Sequence, residues 1–182
     1  MINLFEIIME PKHSFLFCPR CGVKYPSAQN HIYFHCNSCG YSLFFNTATA
    51  VACFVSRSNG QVLFIRRAKE PSKGKLAPPG GFVDFKETAE EALRREIQEE
   101  VNMRISDIEY LCTFPNRYHY MGLTYQTLDI FYKARSTSGK ASAMDEVASI
   151  IWLKPGQVKA PQLAFPSVRK AWKCWLNSLK KS

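Results

Sequence analysis

The chain has 182 residues, of which 46% are hydrophobic, and a formal net charge of +9. No apolar run approaches the roughly 18–20 residues that span a bilayer, and no signal sequence is recognisable, so we expect a cytoplasmic protein without a membrane partner. The positive charge favours polyanionic partners such as nucleotides, nucleic acid or an acidic membrane face, although solubility alone would also explain it.

Four of the seven cysteines form two C-x2-C pairs, Cys18 with Cys21 and Cys36 with Cys39, separated by fourteen residues. This double spacing predicts a tetrahedral zinc site in which each pair supplies two thiolates. A redox pair or a disulfide framework is the alternative, and the cytoplasmic setting and the duplication argue against both. The remaining cysteines are expected to be plain buried thiols: Cys53, Cys112 and Cys174.

Residues 13–45 around these cysteines contain two short strand-like runs, "HIYFHC" and "YSLFFN", and resemble a zinc ribbon. About thirty residues cannot build a sufficient core, so the metal is expected to supply the folding energy. Because four cysteines fill the coordination shell, no position is left for catalysis. We favour a bracing role for this module over nucleic-acid binding.

The second predicted domain covers residues 47–180. It opens with the strand-like run "TATAVACFVS", a hairpin turn at Ser58-Asn59-Gly60 and a second strand, "QVLFIRRA". A Pro/Gly-rich loop, "KEPSKGKLAPPGG", then leads into a helix. Three later runs are predicted strands: "ISDIEYLCTFPNRYHY", "LTYQTLDIFYKAR" and "SIIWLK".

The helix after that loop carries its own start and stop signals. Thr88 and Glu91 fit a capping box, and Asn102 can adopt the left-handed conformation that closes a helix. The apolar residues that repeat every four positions predict its buried face: Ala89, Leu93, Ile97 and Val101.

Three glutamates, Glu96, Glu99 and Glu100, lie together at the end of this helix. Like charges at these spacings repel, and the helix dipole disfavours negative charge at a C-terminus. Clustered carboxylates are, however, the oxygen ligands that Mg²⁺ prefers. The alternative is a solvated acidic face paired with Arg94 and Arg95.

The last predicted helix spaces Val168, Trp172, Trp175 and Leu179 along one face, with Ser167 as its N-cap. The tryptophan face is either core or the interface of a homodimer. Strands and helices together predict an α/β or α+β fold, in which a mixed sheet is sandwiched by helices and preceded by the zinc ribbon.

The glutamate helix and its loop resemble the Nudix signature, G-x5-E-x7-R-E-U-x-E-E-x-G-U, where U is a bulky aliphatic residue. Every fixed position matches except the last glycine, where Asn102 stands. The preceding "PPGG" resembles the family's approach to this motif. The matching residues are Gly81, Glu87, Arg95, Glu96, Ile97, Glu99, Glu100 and Met103.

The resemblance implies a Mg²⁺- or Mn²⁺-dependent hydrolase that acts on a nucleoside diphosphate linked to another group. It implies that Glu96 and Glu100 are metal ligands, that Glu99 is a further ligand or the base, and that the Gly80 carbonyl also binds metal. The residues that would orient these carboxylates are Arg95 and Glu87.

Family members often place another glutamate on a loop before the last strand, and Glu146 fits this pattern as a metal ligand or base. An ordinary loop acid is the alternative, and Asp145 can play either part. Arg66 and Arg67 end a predicted strand and are candidates for binding substrate phosphates.

A zinc ribbon before a Nudix domain resembles the NADH pyrophosphatases and a group of ADP-ribose pyrophosphatases. Of the motif typical of the NADH branch, only Phe114-Pro115 remains. ADP-ribose or a related dinucleotide is therefore the leading expected substrate. Two alternatives stay open: a non-catalytic ligand sensor that binds nucleic acid through the ribbon, and a house-cleaning pyrophosphatase for nucleoside triphosphates.

Overall fold

The computed structural model describes residues 15–24, 33–138, 141–144 and 147–180. Within these residues the strands and helices are β1 (Tyr33–His35), β2 (Ser42–Phe44), β3 (Ala48–Ser56), β4 (Val62–Arg67), β5 (Leu76–Ala77), α1 (Ala89–Val101), β6 (Arg104–Tyr120), β7 (Leu123–Ser138), β8 (Val147–Leu153) and α2 (Pro166–Leu179). Across these same residues, no helix is both long and apolar enough to cross a membrane.

The chain divides into two compact units. The first combines Met1–Thr47 with Arg117–Gln126, which form the tip of the β6–β7 hairpin. The second contains Ala48–Asn116 and Thr127–Ser182. The tip of a long hairpin therefore groups with the N-terminal part of the chain, while the rest of both strands belongs to the large sheet.

In the first unit, β1 and β2 form a two-stranded antiparallel sheet in which Phe34 lies opposite Leu43. The Phe34 side chain is fully buried and packs with Cys18 and Cys36. Because side chains alternate along a strand, one face of this small sheet covers the cysteines and the other faces water.

The second unit is built on a six-stranded sheet with the order β5-β4-β3-β7-β6, and β8 also pairs with β4. β3 runs parallel to β7 from Ala48 opposite Thr127 to Ser56 opposite Arg135. β4 pairs antiparallel with β3, β5 and β8. The sheet is therefore mixed, as the sequence predicted.

A helix packs on each face of this sheet. Val51, Cys53 and Val55 alternate along β3 and belong to the core that contains α1 residues such as Leu93. Phe54 points to the other face, into the core that contains Trp172 and other α2 residues. The prediction of a mixed sheet sandwiched by helices is confirmed.

The tryptophans of α2 belong to the core. Trp172 and Trp175 are each 4% exposed, and their rings stack with centroids 4.8 Å apart. This answers the question of whether they form core or an interface. Leu179, predicted to continue the same face, is instead 50% exposed at the end of the helix.

The predicted N-cap of α2 is wrong. The cap position is Phe165, and Pro166 occupies the first turn, where its missing N–H costs nothing. Ser167 is fully buried, and its hydroxyl donates a hydrogen bond of 2.6 Å to Asp129 Oδ2 on β7. The Ser167 hydroxyl therefore binds Asp129 in tertiary structure and does not cap the helix, as the sequence pattern had predicted.

Two further predictions are corrected by the structure. The Pro/Gly-rich loop contains the short strand β5, whose Leu76 pairs with Arg66 of β4.

Of the three cysteines predicted to be buried thiols, Cys53 is buried, but Cys112 and Cys174 are only half-buried. Burial raises the pKa of the Cys53 thiol well above its usual range.

Candidate active site and metal sites

The helix α1 begins and ends where its sequence signals predicted. The Thr88 hydroxyl accepts a hydrogen bond from the Glu91 N–H, and the Glu91 carboxylate accepts one from the Thr88 N–H. At the other end, Asn102 has φ 50° and ψ 45°, the left-handed conformation. Both ends of the glutamate helix are thus fixed by local hydrogen bonds and backbone geometry.

The Gly80-Gly81 loop runs directly beside β3. The Val51 N–H donates to the Gly81 carbonyl (2.8 Å), and the Cys53 N–H donates to the Pro79 carbonyl (3.0 Å). Gly80 has φ +148°, and a Cβ there would lie 2.6 Å from the Ala52 Cα. Only glycine fits, because any side chain would collide with the strand backbone.

Gly80 also contacts the glutamate helix. Its N–H donates a hydrogen bond of 2.8 Å to Glu100 Oε2. The neighbouring carbonyls, of Pro79 and Gly81, both face β3. The loop therefore joins the sheet on one side and the end of α1 on the other.

Gly81 lies against the carboxylate of Glu96. A Cβ at Gly81 would be 2.5 Å from the Glu96 Cδ and 2.6 Å from its Oε2. The Glu96 side chain is only 16% exposed. Burial raises its pKa, the hydrogen bond from Arg95 lowers it in part, and the charges of Glu99 and Asp84 raise it again.

Arg95 connects three glutamates. Its Nε and Nη2 donate to the two oxygens of Glu87 at 2.7 and 2.9 Å, a bidentate pair. Its Nη1 donates to Glu96 Oε1 at 2.8 Å and to Glu99 Oε2 at 3.1 Å. The Nη2 also donates to the Phe82 carbonyl, which ties the loop after Gly81 to the helix.

The contacts between Arg95 and Glu87 shift the pKa values of both side chains. The hydrogen bonds from Arg95 hold the pKa of Glu87 below its ordinary value, helped by the Asp84 N–H. The pKa of the Arg95 guanidinium is raised further above its usual value, first by Glu87. Both pKa shifts favour the charged forms of Glu87 and Arg95, and Arg95 also contacts the largely buried carboxylate of Glu96.

The donor set fits a hard divalent cation that keeps part of its own water. Glu96 is held beside Gly81, Glu100 is fixed by the Gly80 N–H, and Glu99 is 58% exposed. Over the part of the chain that the structure describes, only the four cysteines bring three or more ligand atoms within 4.8 Å of one another. Clustered carboxylates are the oxygen ligands that Mg²⁺ prefers, with water and phosphate oxygens completing its shell.

Two interactions in this site were missed from the sequence. Asp84 Oδ2 lies 3.7 Å from Arg95 Nη2, and the Phe82 carbonyl accepts from the same nitrogen. Both residues lie between Gly81 and Glu87, at positions that the signature leaves unspecified. No residue pattern identifies them, because their role depends on how the loop folds back over Arg95.

Arg66 and Arg67, the predicted phosphate-binding residues, are engaged with the loop between β4 and β5. Arg66 Nη1 donates to the Gly74 carbonyl at 2.6 Å, and Arg67 Nε donates to the Pro71 carbonyl at 2.8 Å. The Arg67 guanidinium also lies 5.1 Å from the Phe165 ring centroid. Glu146 and Asp145 lie outside the described residues.

The four paired cysteines converge in the first unit. The sulfurs of Cys18 and Cys39 are 3.7 Å apart, as are those of Cys21 and Cys36. A tetrahedral site with zinc–sulfur bonds of about 2.3 Å has sulfur–sulfur edges of about 3.8 Å. The geometry fits a tetrahedral metal site and does not fit a pair of disulfides, whose sulfurs would be about 2 Å apart.

The two cysteine pairs have the same local structure. The Gly22 N–H donates to the Cys18 carbonyl and the Gly40 N–H to the Cys36 carbonyl, each at 2.9 Å. The Arg20 N–H also points to the Cys18 sulfur, at 3.4 Å. Each pair therefore forms the same tight turn, and at the first pair the Arg20 N–H stabilises negative charge on the Cys18 sulfur.

A mixed sheet between two helices, with a glutamate helix docked on a Gly-Gly loop, defines the class of protein. A family model described as the NUDIX domain matches residues 46–176. The chain therefore belongs to the Nudix family, and the resemblance inferred from the signature is confirmed.

Curated relatives share shorter stretches. The chain is 44% identical over 63 residues to the ADP-ribose pyrophosphatase of Methanocaldococcus jannaschii, covering 35% of this chain and 37% of that protein. It is 31% identical over 98 residues to the NAD-capped RNA hydrolase NudC of Chromobacterium violaceum, covering 54% and 36%. In these matches the chain spans less than two fifths of the relatives' own length.

Solved structures match over more of the chain. A Nudix hydrolase from Nitrosomonas europaea has a TM-score of 0.68 at 20% identity, covering 91% of this chain and 93% of that one. The Nudix domain of Shewanella oneidensis NrtR complexed with ADP ribose has a TM-score of 0.62 at 21% identity, covering 75% and 90%. These likenesses confirm the fold. Because relatives and structures carry the names hydrolase and pyrophosphatase, the prediction of an enzyme family is also confirmed.

Proposed function

We propose that the chain is a Mg²⁺- or Mn²⁺-dependent pyrophosphohydrolase that cleaves the diphosphate linkage of a nucleoside diphosphate derivative and releases a nucleoside monophosphate. The arrangement of Glu96, Glu99 and Glu100 around Arg95 and the Gly80-Gly81 loop supports this proposal most directly. A purely solvated acidic face would not require a loop shaped to touch Glu96.

Each residue of the site has a definite part in the proposed reaction. Glu96 and Glu100 hold the cation, and the Gly80 carbonyl is a further ligand. Glu99, the most exposed of the three glutamates, either binds the cation or takes the proton of the attacking water. Bound there, a divalent cation supplies positive charge to the diphosphate and lowers the pKa of a nearby water.

Arg95 and Glu87 act as positioning residues. The bidentate pair fixes the guanidinium, and the guanidinium fixes one oxygen each of Glu96 and Glu99. The second oxygen of each carboxylate receives no hydrogen bond from Arg95 in these contacts and is the one that we propose for the cation. Arg66 and Arg67 as phosphate contacts, and Glu146 as a further ligand or base, belong to the same proposal.

The substrate that we propose first is ADP-ribose. Two comparisons favour it: the matching relative named ADP-ribose pyrophosphatase, and the structural neighbour complexed with ADP ribose. A larger dinucleotide or an NAD-type RNA cap is the second candidate, favoured by the similarity to an NAD-capped RNA hydrolase. Both contain the diphosphate linkage that the glutamate site would cleave.

Zinc in the four-cysteine site completes the proposal. Four thiolates leave no open position on the metal, so the ion would stabilise the ribbon and take no part in hydrolysis. A reducing cytoplasmic setting belongs to the proposal, since the site requires free thiolates. We propose residues 13–45 as the ribbon, residues 47–180 as the Nudix domain, and a homodimer as the oligomeric state to test.

The experiment is a substrate panel with Mg²⁺ or Mn²⁺, containing ADP-ribose, NADH, NAD⁺, FAD, diadenosine polyphosphates and nucleoside triphosphates. The key variant is Glu100→Gln, whose amide oxygen can still accept the hydrogen bond from the Gly80 N–H. We expect AMP from ADP-ribose and a loss of about 10³-fold or more in kcat in the variant, since metal stabilisation is worth several kcal/mol.

A matched control is Glu109→Gln, which makes the same chemical change at an exposed carboxylate paired with Lys133. We expect it to retain the parental rate. Hydrolysis that survives Glu100→Gln would refute the metal-ligand assignment. ADP-ribose binding without any turnover across the panel would show that the domain is a ligand sensor.

A further inference from the structure

A cavity of about 540 Å³ lies at the end of β3, between the start of the β3–β4 hairpin and the end of α2, and we call it the β3-end cavity. Two residues of α2 give it an apolar lining: Trp175, which is 4% exposed, and Leu179, which is 50% exposed. Small-molecule sites typically have volumes of about 300–1,000 Å³. The β3-end cavity is therefore large enough for a small ligand.

The β3-end cavity is separate from the glutamate site. The Val51 N–H of β3 donates to the Gly81 carbonyl in the loop beside the glutamates, whereas Ser56, at the other end of the same strand, lines the cavity. A strand rises about 3.3 Å per residue, so about 16 Å separate these two points. A ligand in this cavity is thus distinct from a substrate held by the glutamates.

The carboxylates that line the cavity are already paired. Glu109 Oε2 lies 2.8 Å from Lys133 Nζ, and Asp107 Oδ2 lies 4.0 Å from Arg135 Nε. Each pair contributes one positive and one negative charge, so the two pairs together leave the lining neutral. The remaining charge of the lining is the guanidinium of Arg57.

Arg57 is held in place without an anionic partner. Its guanidinium lies over the Trp152 ring, 3.6 Å from the ring centroid. Its N–H donates to the Gln61 carbonyl at 3.0 Å, and its carbonyl accepts from the Gly60 N–H at 2.9 Å. Within the described part of the chain, the guanidinium makes no ion pair and no hydrogen bond. A guanidinium stacked on an aromatic ring keeps its N–H groups available for bidentate binding of a carboxylate or phosphate.

We propose that the β3-end cavity binds a small aromatic acid, a flat apolar body that carries one carboxylate or phosphate group. Arg57 binds the anionic group, and the apolar body packs against Trp175 and Leu179. An uncharged ligand would leave the Arg57 N–H groups unpaired, and a long polyanion would also meet the carboxylates of Asp107 and Glu109. The proposal is independent of the proposed hydrolysis.

The test uses anilinonaphthalene sulfonate as the probe, because its aromatic rings carry one anionic group and its fluorescence reports an apolar site. Titration of the full-length protein should show one site per chain. Arg57→Gln should raise the Kd of the probe about tenfold or more, because a charge-assisted hydrogen bond is lost. The control is Lys73→Gln, which removes an exposed cation from the β4–β5 loop and should keep the parental Kd.

A second pair of variants tests the charge preference without changing Arg57. Leu179 is half exposed at the end of α2, so either charged residue can replace it without disturbing the core. Leu179→Glu should raise the Kd of the probe severalfold, because like charges repel, whereas Leu179→Lys should not raise it. Equal effects of the two substitutions would contradict an anionic ligand.

Several results would overturn the proposal. An unchanged Kd in Arg57→Gln would remove the role of the guanidinium. Equally tight binding of the uncharged analogue phenylnaphthylamine would remove the need for an anionic group. Benzoate and phenyl phosphate distinguish a carboxylate from a phosphate ligand by displacing the probe, and failure of both would exclude an aromatic acid. Loss of probe binding in Glu100→Gln would place the probe at the glutamate site.

Discussion

Replacing Gly81 with alanine tests whether the position of the Glu96 carboxylate matters for catalysis. The added methyl group would lie 2.5 Å from the Glu96 Cδ, whereas ordinary contact begins at about 3.4 Å. The carboxylate must therefore move by about 1 Å. The structure gives Gly81 no left-handed backbone conformation, so alanine brings no backbone strain there.

The expected loss of activity follows from that displacement. A shift of about 1 Å in a catalytic group can cost about 100-fold in rate. The stability cost should be small, about 1 kcal/mol, because the methyl group meets the end of a side chain that can turn. Gly80→Ala provides the contrast. Its methyl group would meet the backbone of Ala52 at 2.6 Å and should destabilise the fold by about 3 kcal/mol or more.

The assay compares AMP release from ADP-ribose with urea unfolding for Gly81→Ala, Gly80→Ala and a third variant, Gly156→Ala. Gly156 has open space where its methyl group would lie, so this variant should match the parent in both measurements. A parental rate for Gly81→Ala would refute the idea that the loop positions Glu96. A parental stability for Gly80→Ala would refute the close approach to β3.

Three other perturbations test separate parts of the structure. Cys36→Ser should remove the zinc that we propose and the ordered packing of the first unit, measured by metal analysis and amide exchange; zinc retained by the variant would contradict the tetrahedral site. Ser167→Ala should cost about 1–3 kcal/mol in urea unfolding, because Asp129 Oδ2 loses its donor while Thr127 still donates to Oδ1, and a cost near zero would contradict that role. The lowered pKa of Glu87 stabilises the fold above its ordinary pKa of 4.5, and this contribution is lost as the pH falls through the lowered value. Glu87→Gln should therefore flatten the acid limb of the stability profile, and an unchanged acid limb would argue against the Arg95 contact.

The parts of the fold that the sequence predicted correctly are those determined by local interactions. The capping box at Thr88 and the left-handed Asn102 fix α1 within a few residues of each end, so they can be recognised without tertiary structure. The cysteine knuckles are equally local, because each pair and its turn span only a few residues. The alternation along β3 likewise encodes a strand with a helix on each face.

The wrong predictions concern residues whose structure is determined by contacts with residues far away in the sequence. Ser167 has the pattern of an N-cap, but Asp129 lies 38 positions earlier in the chain and takes its hydroxyl. Leu76 and Ala77 look like loop residues until β4 pairs with them. The grouping of Arg117–Gln126 with the N-terminal residues has no sequence signal either, because it depends on how far the β6–β7 hairpin extends.

The acidic end of α1 is stable for a reason that the sequence shows only in part. Repulsion among the glutamates and the unfavourable helix dipole would together cost on the order of 1–2 kcal/mol. Arg95 offsets this cost, since one guanidinium donates to Glu87, Glu96 and Glu99 at 2.7–3.1 Å. The Gly80 N–H likewise donates a hydrogen bond that stabilises the Glu100 carboxylate. Hydrogen bonds from the chain itself therefore orient the three carboxylates that we propose to hold the cation.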